Sequence, residues 1–203
     1  MPSALSQAIM FNQRAPLSGT HRSGNISNSN FTSASISGIA VGSDPSPYRT
    51  VVVVSQANAT ITGLLVNGAS IPSSQIIYNT DSTQALGWVV VPSGTTCSIG
   101  GTYQFAGNYR HLYSYTMLDG FRMLHDYKEG SSVTLGLPGG ESYIVGIGGG
   151  TTTNPTWTNL TSRQTVLSSS SSIYSEAASD FVTTGTSRSI SISDGTFLVA
   201  SFR

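Results

Sequence analysis

The stretch Tyr48-Arg49-Thr50-Val51-Val52-Val53-Val54-Ser55-Gln56, followed shortly by Thr60-Ile61-Thr62-Gly63-Leu64-Leu65-Val66-Asn67-Gly68, decides the fold. Four consecutive valines are apolar on both faces of an extended chain, the pattern of a central strand covered on each side. The second segment is a further strand and ends in Asn67-Gly68, a pair suited to the positive φ angles of a two-residue hairpin turn. Upstream, Asp44-Pro45-Ser46-Pro47 removes donors and fixes φ, so the preceding strand stops there.

Outward from this centre the period stays at two. Phe31, Ser33, Ser35 and Ser37 alternate with Thr32, Ala34 and Ile36, and the run continues through Ile39-Ala40-Val41. Further strands are expected at 75–79, 85–91, 96–99, 109–117, 132–137, 142–147, 157–160, 173–174, 181–183, 187–193 and 197–202. Turns at Pro92-Ser93-Gly94, Asp119-Gly120 and Pro138-Gly139-Gly140 separate several of them. Only 118–127 and the N-terminus show any helical period. About a dozen short strands with regular turn signals predict an all-β fold, an antiparallel β-sandwich of jelly-roll type, as a single domain over 31–203. Residues 1–30 read as an extended N-terminal arm. Within it, Ile9, Met10 and Phe11 form an apolar cluster suited to docking on a protein partner, whereas 19–30 carries small polar residues with little to bury.

Composition narrows the function classes. The formal net charge of the 203 residues is zero and only 9% are charged, against roughly 25% in an average soluble protein. Lys128 is the only lysine. Nucleic acid and anionic membrane surfaces are recognised by clustered Lys and Arg, so neither is an expected partner. No apolar run approaches the ~18–20 residues of a membrane span, and the first residues lack a secretion signal. A neutral, β-rich chain tends to self-associate through its strand edges, which fits a homo-oligomer or a subunit of a larger particle. Cys97 is the only cysteine; it reads as a small apolar residue buried in a strand, with an intermolecular bridge as the alternative.

The order of several short motifs resembles a known group. These are Gly42-Ser43-Asp44-Pro45 before the valine strand, the 60–68 hairpin, Val90-Val91-Pro92-Ser93-Gly94-Thr95-Thr96, and the strand with Tyr113 and Tyr115. Leu137-Pro138-Gly139-Gly140, Thr156-Trp157-Thr158-Asn159-Leu160-Thr161, Ser175-Glu176-Ala177-Ala178-Ser179-Asp180 and the terminal Ala200-Ser201-Phe202-Arg203 follow. In this order, over 31–203, the chain resembles small β-sandwich minor structural proteins of tailed bacteriophages, head- or tail-associated and fibre-like. The resemblance implies a virion location and a non-enzymatic role, decorating or joining head, neck or tail through contacts with other virion proteins. It transfers no catalytic residue.

Read for chemistry, the chain offers little. His111, Asp119, His125 and Asp126 are metal-ligand types, but their spacing matches no ligand motif. No Gly-x-Ser-x-Gly elbow accompanies the abundant serines. With the turn aspartates set aside, Glu141, Glu176 and Asp180 are the candidate carboxylates for a glycosidase-like depolymerase. The glycines at 146 and 148–150 lack the Lys-Ser/Thr of a phosphate loop and read as a flexible strand exit. No cofactor, metal or catalytic residue is therefore expected. The aromatics carry more weight. Tyr109, His111, Tyr113 and Tyr115 share one face of a strand, which suits a core or subunit interface, or a platform for host polysaccharide. The second function class is accordingly a carbohydrate-binding module on a phage appendage.

Overall fold

The computed structural model describes residues 19–27, 32–42, 49–106, 109–117, 123–151, 154–167 and 174–203. The docking cluster Ile9, Met10 and Phe11 lies outside them, as does Asp119. The described residues form antiparallel sheets in four stacked layers. Layer one has the order β2 (Ser33–Ala40), β8 (Thr96–Tyr103), β4 (Ile61–Val66), β5 (Ala69–Ser70). Layer two runs β1 (Gly19–Ser27), β9 (Tyr109–Met117), β3 (Thr50–Ala57), β7 (Gln84–Val90), β6 (Ile76–Tyr78). Layer three runs β10 (Leu124–Gly130), β17 (Thr196–Phe202), β12 (Ser142–Gly149), β15 (Tyr174–Val182), β14 (Thr161–Leu167). Layer four is β11 (Ser132–Gly136), β16 (Ser187–Ile192), β13 (Trp157–Thr158). The all-β sandwich expected from the sequence is present, built as two sandwiches stacked face to face.

The valine strand explains the stacking. Val51 and Val53 enter the core between layers one and two, with Ala34, Ile61, Leu64, Cys97 and Ile99. Val52 and Val54 enter the core between layers two and three, with Tyr113, Tyr115, Val145, Leu198 and Phe202. All four valines are fully buried, so this central strand serves two interiors at once. Layer three is covered on its far side too, where Ile144, Ala178, Phe197 and Val199 meet Leu135, Ile190 and Ile192 of layer four. Asn67 and Gly68 adopt φ of 53° and 77°, the double positive φ of a type I′ turn, and the hairpin pairs Val66 with Ala69. Cys97 is a buried free thiol in the first core, pushed up in pKa by that burial.

Four strands differ from the sequence reading. Residues 19–27, expected in the arm, form the edge strand β1, pairing with β9 from Gly19↔Met117 to Ser27↔Tyr109. The weakly helical 118–127 gives way, from Leu124, to the edge strand β10, whose burial alternates; its polar residues belong to an exposed edge. The polar β14 was missed for the same reason. Ser175-Glu176-Ala177-Ala178-Ser179 also hid a strand, because it has no β-branched or aromatic residue. It is the middle of β15, buried on both faces. The glycines at 146–149 lie inside β12 and do not form a loose exit. A Cβ at Gly148 would fall 2.9 Å from both Ile192 Cδ1 and Phe197 Cβ, and one at Gly146 would fall 3.1 Å from the Trp157 ring. Glycine lets the indole lie on the sheet.

Arg49, fully buried at the start of the valine strand, gathers four backbone carbonyls from two segments, 41–42 and 91–94. Its Nε donates to Val91 O at 2.8 Å, Nη2 to Gly94 O at 2.7 Å, and Nη1 to Val41 O and Gly42 O at 3.3 and 3.4 Å. Charge-assisted bonds of this kind contribute about 1.5–3 kcal/mol each, and their loss strands buried carbonyls. Arg49→Met is expected to cost at least about 3 kcal/mol in urea unfolding. Arg49→Lys should recover only part of it, because a point ammonium does not reproduce the guanidinium fork.

Candidate functional site

The tyrosine strand lies at the seam between the two sandwiches. In β9 every residue is buried, and Leu112 points into the first core while Tyr113, Tyr115 and Met117 point into the second. Tyr109, His111, Tyr113 and Tyr115 thus share a face, as the period-two reading required. That face is internal. With Tyr113, Tyr115 and His111 fully buried and Tyr109 nearly so, the strand presents no platform to a polysaccharide or to another subunit.

What the tyrosines do instead is set by the strand they face. β15 offers Ser175, Ala177 and Ser179 toward layer two, and such short side chains leave room for rings. The Tyr113 hydroxyl meets Ser175 Oγ at 3.2 Å, and the Tyr115 hydroxyl donates to Ala178 O at 3.2 Å. From layer three itself, the Tyr143 hydroxyl meets Ser179 Oγ at 3.1 Å. Tyr115 and Tyr143 pack edge to face, with centroids 6.4 Å apart. Burial raises the phenol pKa of Tyr113 and raises that of Tyr115 strongly, so both are neutral donors at any ordinary pH. Tyrosine here fills volume and satisfies its polar tip across the seam.

One end of the seam is polar. Strand register aligns His111, Gln56 and Gln84 across β9, β3 and β7, and all three are buried. Gln84 Nε2 donates to Thr196 O of layer three at 3.0 Å. The His111 ring lies between Tyr109 and Tyr113, with centroids 5.4 and 6.5 Å away. Burial holds its imidazole neutral, with a pKa lowered to about 4.

The other titratable candidates are spread apart and held by neighbours. His125 is exposed on β10 of layer three while His111 is buried on β9 of layer two, and the Asp126 carboxylate accepts from the backbone N–H groups of Tyr127 (2.9 Å) and Gly136 (2.7 Å). Among the described residues no group of three or more His, Cys, Asp or Glu is placed to hold a metal. Asp180 pairs with Arg188 at 2.8 Å and accepts from Thr161 at 3.0 Å. Glu176 is buried, its pKa raised by desolvation and moderated by Ser162 and Thr165. Glu141 is exposed.

An open cleft sits at the edge of the seam where β6 of layer two and β10 of layer three are the outermost strands. It has a volume of about 590 Å³ and is lined by Tyr78, Thr80, Asp126, Tyr127, Lys128 and Glu129. A smaller hollow of about 240 Å³ adjoins it and shares Thr80 and Glu129. The Thr80 N–H donates to Glu129 Oε2 at 2.7 Å, and the Thr80 hydroxyl donates to Oε1. Sequence reading missed this cleft because its residues come from two strands 49 positions apart; an aromatic beside acids on the charged 126–129 run was the only signal.

His111 gives a pH prediction. A histidine whose folded pKa is depressed leaves the folded state with fewer bound protons than the unfolded state, so stability falls as pH drops from about 6.5 to about 4. The full separation is worth about 3 kcal/mol. Glu176 acts in the opposite sense, since its raised pKa favours the protonated form at low pH. Replacing His111 by Asn should remove the His111 loss, so that the urea midpoint of the variant gains on that of the parent as pH drops from 6.5 to 4. The Glu176 contribution cancels because it is common to both proteins.

No family model, no curated protein and no solved structure matches this chain.

Proposed function

We propose that the chain is a non-enzymatic structural protein of a tailed-phage virion, decorating or joining head, neck or tail through protein–protein contacts. The observation that carries this reading is the use made of the side chains with chemical potential. The tyrosines and His111 build the seam, Asp180 is paired with Arg188, and Arg49 clamps backbone carbonyls. What faces solvent is mostly neutral and polar, on layers whose strand edges can pair with neighbouring subunits. The ordered motifs at 31–203 support the same reading, and residues 1–18 supply the chain length for an arm.

Mass spectrometry of purified particles from a host expressing the surrounding phage genes tests it. The protein is expected in the particles at a fixed stoichiometry to the major capsid or tail protein. Its absence from particles that are otherwise complete would overturn the assignment. The second reading, recognition of a host polysaccharide, is favoured by a different feature, the cleft at the seam edge.

A further inference from the structure

The cleft between β6 and β10 combines three properties that saccharide recognition needs. The first is an accessible aromatic. Tyr127 is 47% exposed, whereas Tyr78 borders the same cleft with its ring packed against the first core. A tyrosine ring gives a flat apolar surface for the C–H face of a pyranose, and its hydroxyl remains available for hydrogen bonding.

The second property is preorganised polar groups. On β10, Tyr127 and Glu129 stand opposite Ala200 and Leu198 of β17, whose side chains enter the seam core, so both project on the seam side of the sheet. Glu129 is fixed by Thr80 through both oxygens, one bond to each. A carboxylate has about four lone-pair sites, so about two remain for ligand hydroxyls. Asp126 and Lys128 stand on the other face of β10, where the Asp126 carboxylate accepts from the Gly136 N–H of layer four at 2.7 Å and pairs with Lys128 Nζ at 3.4 Å. Thr80 and Glu129, fixed by each other, have already lost rotamer freedom, which lowers the entropic cost of binding.

The third is size and charge. About 590 Å³ lies within the ~300–1,000 Å³ typical of small-molecule sites. Glu129 is the charged side chain that β10 turns toward the seam, since Asp126 and Lys128 pair with each other on the opposite face. Asp81 of the adjoining hollow has its carboxyl pKa lowered, against the opposing effect of burial, by hydrogen bonds from Thr83 and Asn79. That balance repels uronic and sialic acids and accepts hydroxyls or an ammonium.

From this geometry we propose that the seam-edge cleft is a binding site for a neutral or amine-bearing saccharide, with Tyr127 as the stacking platform and Glu129 as the positioned acceptor. The proposal goes beyond the structural role and does not depend on it, since a purified chain can be tested without any particle.

The experiment is a glycan array carrying neutral, amino and acidic bacterial surface oligosaccharides, followed by titration calorimetry on the sugars that bind. The parent protein should bind neutral or amino sugars at millimolar or tighter affinity and leave the acidic ones. Tyr127→Ala should weaken binding by about tenfold or more, while Tyr127→Phe, which keeps the ring, stays within a few-fold. Glu129→Gln should weaken binding and reduce any preference for amino sugars. Melting temperatures of the variants, read in parallel, identify loss of fold, and saturation-transfer NMR on the folded Tyr127→Phe protein supplies a second readout. Failure of the parent to bind any neutral or amino sugar at millimolar concentration overturns the proposal. So does binding that Tyr127→Ala and Glu129→Gln leave unchanged. In either case the virion assignment still stands on its own test.

Discussion

The structure depends on burying two faces of one strand. Val51 and Val53 point one way and Val52 and Val54 the other, and neither set can be hydrated without losing a core. A four-valine run fixed within a sheet therefore demands a layer above and a layer below. The N-terminal sandwich supplies one side from its own hairpins. The other side has to come from residues after 123, which makes the second sandwich a structural necessity for the first. Layer three meets the same demand and is capped in turn by β11, β16 and β13.

The seam between the halves is consequently a core, and it follows core rules. Tyr113, Tyr115 and Tyr143 are large and each carries a polar tip, so the facing strand must be short-chained and must offer acceptors. Ser175, Ala177 and Ser179 meet the first need, and serine hydroxyls with the Ala178 carbonyl meet the second. The same reasoning accounts for Gly146 and Gly148 beneath Trp157 on the other face of layer three. Where bulk arrives from one sheet, the opposite sheet is emptied, because protein interiors are packed to near-crystalline density.

Function is then left to the margins. Residues consumed by the seam cannot also meet a partner. The places that remain are the strand edges, the N-terminal residues and the cleft where β6 and β10 overhang the seam. Polar side chains at that cleft are tied to one another across the two halves. Its shape depends on the halves being docked, so it is a property of the stacked pair and of neither sandwich alone.

Much of this fold was legible in the chain. The valine run, the Asn67-Gly68 turn and the period-two segments determined an antiparallel all-β structure, because strand periodicity and turn φ are local properties. Cys97 as a core residue followed from the same logic. Strands β1, β14 and β15 escaped notice since what makes them strands is a neighbour: an open edge for the first two and incoming tyrosine rings for the third. The face shared by Tyr109, His111, Tyr113 and Tyr115 was readable, yet whether it looked outward or inward was not, because burial is set by what the other half of the chain brings against it. Local periodicity and turn chemistry dictate most of the strands and which residues share a face. The docking of the two halves selects which faces are spent on the seam, and brings Thr80 and Glu129 together across 49 residues to shape a cleft at its margin.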